Sequence, residues 1–187
     1  MFIYTSDHGE QAGNRGLWGK MSFFEDAVAI PLLIAGDGLQ ENKVVETPVS
    51  MIDIPLTICD AASGPRLAQA SGRSLIPVLK GDDLDVVPVF SEMNRGPEEL
   101  GRMLRLGKWK FWSFAGNDDV VLFDCENDAA ETTNVADAHP DLIEKFKGLC
   151  VKGWDPQAIF EEHARRRQEE VIYDQWGANS RVEEPDR

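Results

Sequence analysis

The sequence predicts an α/β chain in three stretches: a partial α/β domain over residues 1–88, a small antiparallel sheet with a covering helix over residues 89–150, and a helical and extended tail over residues 151–187. Three observations lead there. The chain opens on an apolar run that halts at Asp7-His8-Gly9 and is followed, across a glycine-rich loop, by a second apolar run from Ile30 to Ala35. Short β-rich runs then crowd residues 86 to 123, separated by glycine and asparagine turns. After them, Leu142, Ile143, Phe146 and Leu149 recur at helical spacing, as a helix lying on a sheet requires.

The elements follow in order. Residues 2 to 6 read as a buried strand, and Gly9 permits the turn that ends it. The loop runs through residue 19, and the second strand ends at Gly36-Asp37-Gly38. Ile52, Leu56 and Cys59 suggest a helix from Met51 to Ala62. Pro55 fits it only in the first turn, which puts Asp53 near the positive end of the helix dipole. Gly72 to Gly81 reads as a loop with a short apolar helix. Strands are expected at Val86–Phe90, Met103–Leu106, Trp109–Phe114 and Val120–Phe123, with Gly107-Lys108 and Gly116-Asn117-Asp118-Asp119 turning between the last three. An acidic loop from Asp124 to Asp137 leads to a helix over Pro140–Cys150. Asp155-Pro156 is a helix start, with Asp as N-cap and Pro in the first turn, and the helix runs to about Asp174 before an extended tail from Trp176.

The chemistry gathers at the end of the first strand. Consecutive strand side chains point to opposite faces, so Asp7 and His8 can share an ion only where the extended backbone yields to a turn. In open α/β sheets ligands sit beyond the carboxyl ends of strands, which is where these groups lie. A carboxylate beside an imidazole suits a divalent cation, Mn or Ca on the hard side and Zn or Fe on the borderline side. Two ligands do not close a site, and taken alone an Asp-His-Gly is more often an ordinary turn.

The ordered motifs change that balance. Asp7-His8-Gly9-Glu10, then Gly16 through Glu25, then Ile30-Pro31-Leu32-Leu33-Ile34, resemble the later metal-and-sulfate segment of the type I sulfatases, in the alkaline phosphatase superfamily. Val49–Pro55 with Thr57, Gly72–Gly81, Leu122-Phe123-Asp124 and Glu131–Ala136 resemble the same family in the same order, so the likeness covers residues 2 to 147. The run Lys20-Met21-Ser22-Phe23-Phe24-Glu25 is similar to choline sulfatases and their bacterial relatives. The resemblance implies an alkaline-phosphatase-like α/β domain followed by the family's small sheet subdomain. It also implies that Asp7 and His8 ligate one divalent metal, Ca or Mn, and that Lys20 is catalytic and contacts the substrate sulfate. Arg15 is a second candidate for the anion, or else a local charge balance.

The family's nucleophile is a formylglycine made from the cysteine of a Cys-x-Pro-x-Arg or similar signature. Cys59 is followed by Asp60-Ala61-Ala62-Ser63, Cys125 by Glu126-Asn127-Asp128-Ala129 and Cys150 by Val151-Lys152-Gly153-Trp154, so none qualifies. The chain is therefore expected to be a C-terminal portion whose formylglycine lies upstream, and to show no esterase activity alone. Ala29 stands where many relatives carry arginine, which leaves the substrate's charge preference open. The reading is metal-dependent hydrolysis of a sulfate ester; the alternatives are a phosphonate or phosphate ester hydrolase of the superfamily, or a non-catalytic remnant.

Composition bounds the rest. A net charge of −14 over 187 residues repels nucleic acid and anionic membranes. The resemblance implies a small sulfate ester as the partner, which metal and lysine would have to attract locally. The tail implies a homo-oligomer. Three cysteines lack zinc or redox spacing and read as free, partly buried thiols. There is no signal-type N-terminal segment and no apolar run of bilayer length, so the compartment stays open with the cytoplasm as default. Trp18, Phe23 and Phe24 read as core or rim packing, and His139 and His163 as surface residues.

Overall fold

The computed structural model describes residues 1–96 and 99–179. Strand β1 (Phe2–Thr5) pairs antiparallel with β2 (Leu32–Ala35), Phe2 opposite Ala35 and Thr5 opposite Leu32. Between them lie the loop and a single helical turn, α1 (Glu25–Val28). β2 starts two residues later than expected because Pro31 has no N–H for the ladder. The expectation that β1 is buried is corrected: Phe2, Tyr4 and Leu33 share one face of the ribbon and are 65%, 55% and 58% exposed. An apolar run predicts burial only where a second layer covers each face, and among the described residues one face has none.

α2 (Asp53–Ala61) follows, with Pro55 in its first turn. Asp53 is buried, and its carboxylate accepts the Ser50 N–H at 2.9 Å and the Arg73 N–H at 2.8 Å, tying the helix start to the segment that enters α3 (Ile76–Leu79).

The second sheet is a meander of β3 (Val89–Asn94), β4 (Leu100–Leu106), β5 (Trp109–Phe114) and β6 (Val120–Asp124), antiparallel throughout. Gly107, at φ +56°, makes the two-residue turn between β4 and β5. Two of the expected strands were misplaced. β3 runs to Asn94, and β4 begins at Leu100, because Glu92 and Arg102 stand opposite one another and form a 3.3 Å ion pair that polar composition disguised as a turn.

The pleat sends alternate side chains to two cores. On one face, Leu104, Phe111 and Leu122 meet Phe146 and Cys150 of α4 (Pro140–Val151), the helix expected to cover the sheet. On the other, Met93, Met103, Trp112 and Phe123 enclose Phe23 from the loop after β1. Gly101 lets Phe23 in: a Cβ there would stand 2.8 Å from the Phe23 ring and 2.7 Å from Phe114. Phe23 is therefore core, whereas Trp18 is 78% exposed and is not the packing residue its type suggested.

α5 (Pro156–Asn179) starts as expected, with Asp155 Oδ1 accepting the Ala158 N–H at 3.0 Å. It is a solvated helix stitched by Glu162 to Arg165 and Arg166. Its helical backbone continues through Trp176 to Asn179, so the extended tail does not begin at Trp176, and the expectation for residues 180–187 lies outside the described residues. Neither remaining histidine is a plain surface residue. His139 stacks edge-on against Trp109 at 4.9 Å, and His163 Nδ1 receives the Asn94 amide at 2.7 Å. No helix among the described residues is long and apolar enough to cross a membrane.

Candidate active site

The chain turns where β1 ends, and the Ser6 hydroxyl fixes that turn by donating to the His8 carbonyl at 2.8 Å. Gly9 is needed for a reason other than the one its type suggested. Its φ is not in the left-handed region; instead a Cβ would stand 2.0 Å from the Asp26 carbonyl oxygen, while the Gly9 N–H donates to the Ala27 carbonyl at 2.8 Å. α1 is thus pressed directly against the Asp7-His8 turn.

That turn brings the two side chains face to face, with Asp7 Oδ2 3.5 Å from His8 Nε2. His8 Nδ1 lies 2.7 Å from the Gly9 carbonyl, so in the neutral ring the hydrogen belongs on Nδ1 and the Nε2 lone pair faces the carboxylate. Metal-binding histidines are oriented this way, by a backbone carbonyl on the nitrogen remote from the ion. Donors that each lie about 2.2–2.4 Å from one ion stand about 3–3.5 Å apart in adjacent coordination positions. The spacing and the tautomer both fit a shared divalent cation. A hydrogen bond from its own backbone N–H, then the proximity of His8 and Lys20, hold the Asp7 carboxyl below the usual carboxylate range despite some desolvation. Lys20, exposed on the loop, follows Gly19, whose N–H donates to Glu10 two residues beyond His8.

Arg15 takes a different position. Its guanidinium donates to the Asp26 carboxylate and the Ala130 carbonyl, lies 3.9 Å from Glu131 and stacks 4.2 Å over the Phe24 ring. Those contacts brace the loop against α1 and against the acidic loop that follows β6. Of the two roles read from sequence, these partners match charge balance.

The loop contains ordering groups that sequence reasoning passed over. Glu10 Oε1 accepts the N–H of Gly19 at 2.6 Å and of Ala12 at 3.2 Å, and those two bonds lower its pKa. Gln11, almost wholly buried, donates its backbone N–H to the Gly19 carbonyl at 3.0 Å and its amide to the Ser22 hydroxyl. A carboxylate at the mouth of a loop rich in glycine N–H groups was the available signal.

Among the described residues one three-donor group, Glu25, Cys125 and Glu131, is close enough to hold a metal. The Lys110 ammonium already lies 2.7 Å from Glu25 and 2.7 Å from Glu131, so an internal cation is already paired with that cluster. None of Cys59, Cys125 and Cys150 is disulfide-bonded, and burial pushes the Cys150 thiol up to about 11.

A sequence model described as Sulfatase matches residues 1–64. A choline-sulfatase of Rhizobium meliloti (strain 1021) is 33% identical over 180 residues, covering 89% of this chain and 34% of that protein. The structure of a 2-O GAG sulfatase superposes with a TM-score of 0.69 at 23% identity, covering 91% of this chain and 37% of the other. That of a phosphonate monoester hydrolase from Silicibacter pomeroyi does so with a TM-score of 0.71 at 29% identity, covering 81% and 34%. The chain belongs to the sulfatase family. It spans about a third of the length of the curated relatives it matches. Sulfatases generally bind a divalent metal.

Proposed function

We propose that this chain forms the metal-and-sulfate side of a site that hydrolyses sulfate esters. One observation carries the reading: at the end of β1, a carboxylate and an imidazole face each other across 3.5 Å, and the loop that bears Lys20 is tied back beside them by the Gly19 N–H on Glu10. Asp7, held ionised, and His8, offering Nε2, would hold a hard divalent cation such as Ca or Mn together with ligands from outside this pair. When bound, that ion supplies Lewis-acid stabilisation of charge on the ester oxygens.

The chain's own residues account for the rest. As the sulfur–oxygen bond breaks, its electron pair moves to the departing oxygen and charge redistributes over the sulfate. The Lys20 ammonium, a compact point charge on the loop, stabilises that distribution more strongly in the transition state than in the ground state. The surrounding charge of −14 makes attraction of an anion a strictly local matter, and Lys20 is the cation on the spot. Arg15 contributes by holding the loop through Asp26 and Glu131 rather than by meeting the ester. Cys59, Cys125 and Cys150 sit in sequence contexts foreign to a formylglycine signature, so the nucleophile belongs to sequence outside these 187 residues.

A phosphonate or phosphate monoester is the second reading, favoured by the likeness to the Silicibacter pomeroyi enzyme. The two separate in a polypeptide joining this chain to a formylglycine-bearing sulfatase segment, assayed with an aryl sulfate and an aryl phosphonate. Preference for the sulfate, falling about 10²–10³-fold in Lys20→Met, supports the first reading; preference for the phosphonate overturns it.

A further inference from the structure

We propose that Glu10 and Arg95 are positioning residues for Lys20, one acting from the metal-binding turn and the other from the second sheet. The inference rests on the role given to Lys20 above and extends it to residues outside the metal pair and the sulfate contact. Lysine has a long flexible stem, so the backbone can aim its ammonium only by fixing the peptide groups on either side. Both sides are fixed here. On the N-terminal side, Gly19 is held through both its polar groups: its N–H donates to Glu10 Oε1 at 2.6 Å and its carbonyl accepts the Gln11 N–H at 3.0 Å. Gly19 sits at φ +76°, a conformation glycine reaches without steric cost and other residues rarely adopt, so the loop can bend here to present both polar groups.

On the C-terminal side, Arg95, just past the end of β3, donates from Nη2 to the Met21 carbonyl at 2.9 Å. The guanidinium is itself aimed by the Phe114 ring, 5.0 Å below it, and by Glu99 at 3.9 Å. Between the two anchors the Ser22 N–H closes a tight turn onto the Lys20 carbonyl at 2.8 Å. Glu10 stands two residues from His8, so the first anchor sets Lys20 against the metal pair. The second sets it against the four-stranded sheet. A displacement of about 1 Å at a reacting group costs about 100-fold in rate, which is the precision these bonds serve. Both side chains are solvent-facing, so substituting them leaves the cores intact.

The test uses the whole chain with Glu10→Ala, Glu10→Gln, Arg95→Ala and Lys20→Met. Amide hydrogen exchange at Ser22 reports the Lys20 turn, with Leu104 and Phe111 as internal references. Glu10→Ala and Arg95→Ala should each speed Ser22 exchange by about tenfold or more while the references hold, and Glu10→Gln, which keeps a carbonyl acceptor, should restore protection. Unchanged Ser22 exchange in both alanine variants, or equal acceleration at Leu104, overturns the proposal. Titration with inorganic sulfate, read at the Gly19 and Lys20 amides, separates this from the functional reading. If Lys20→Met removes the sulfate response and the alanine variants weaken it about tenfold, with rescue by Gln, both stand. If Lys20→Met removes it and the alanine variants keep wild-type affinity, positioning fails alone. If Lys20→Met leaves it unchanged, the role of Lys20 fails, and with it the functional claim for Glu10 and Arg95.

Discussion

Replacing Lys110 by methionine tests the join between the loop that follows β1 and the second sheet. The Lys110 side chain is wholly buried on β5, and its ammonium lies 2.7 Å from Glu131, also wholly buried, and 2.7 Å from Glu25 at the start of α1. Glu131 in turn accepts the Glu25 N–H at 2.7 Å, so one ammonium is shared by the two carboxylates that meet where the loop enters α1. Removing one partner of a buried pair strands the other's charge, which costs about 3–5 kcal/mol. For a chain of this length that is a fall in Tm of about 6–20 °C. Urea unfolding followed by tryptophan fluorescence measures it, with Lys108→Met as control. The Lys108 pair with Asp124 is more open, the two side chains 37% and 16% exposed, and its loss should be clearly smaller, about 1 kcal/mol. Glu131→Gln added to Lys110→Met should recover part of the loss, because glutamine still accepts the Glu25 N–H without a stranded charge. A Lys110→Met variant within about 1 kcal/mol of wild type refutes the argument.

Other expectations concern local packing and titration. Gly9→Ala drives a methyl into the Asp26 carbonyl and should cost about 1–3 kcal/mol while displacing the Asp7-His8 turn, visible as chemical-shift changes at His8. Cys150, buried and with its thiol pushed up to about 11, should resist an aromatic disulfide reagent at pH 8 far longer than the half-buried Cys59. Burial raises the Cys150 pKa above its ordinary 9.0, so its contribution is complete below 9.0 and disappears as pH climbs through about 11, measurable as alkaline loss of stability. In acid the sign reverses. Arg165 and then Arg166 depress Glu162 from 4.5 to about 2, so that pair's support for α5 holds above 4.5 and drains away as pH falls toward 2, a loss of helicity that circular dichroism records.

The legible parts of this chain are those where periodicity or turn chemistry acts locally. α4 was readable because Leu142, Ile143, Phe146 and Leu149 recur on one face, and the β4–β5 hairpin because Gly107 can take the turn. The start of β4 was hidden because Gly101 and Arg102, which follow its first residue Leu100, look like turn composition until Phe23 and Glu92 are brought to them from elsewhere in the chain. The exposure of β1 was hidden for the converse reason: an apolar run states a need for cover, not its presence. Within the site, Asp7, His8 and Lys20 could be named from adjacency and resemblance. What orients them could not. The Gly9 carbonyl on His8, the Glu10 carboxylate on Gly19 and the Arg95 guanidinium on Met21 are contacts to backbone groups, which no side-chain pattern encodes.

The shared-ion claim has a direct measurement: titration of the isotope-labelled chain with Mn²⁺, whose unpaired electrons broaden nearby amide signals. Binding between Asp7 and His8 predicts early, selective loss of the signals of residues 6–10 and 19–21, abolished by Asp7→Asn and by His8→Ala. Broadening that starts around Glu25, Cys125 and Glu131, or that survives both substitutions, would contradict it.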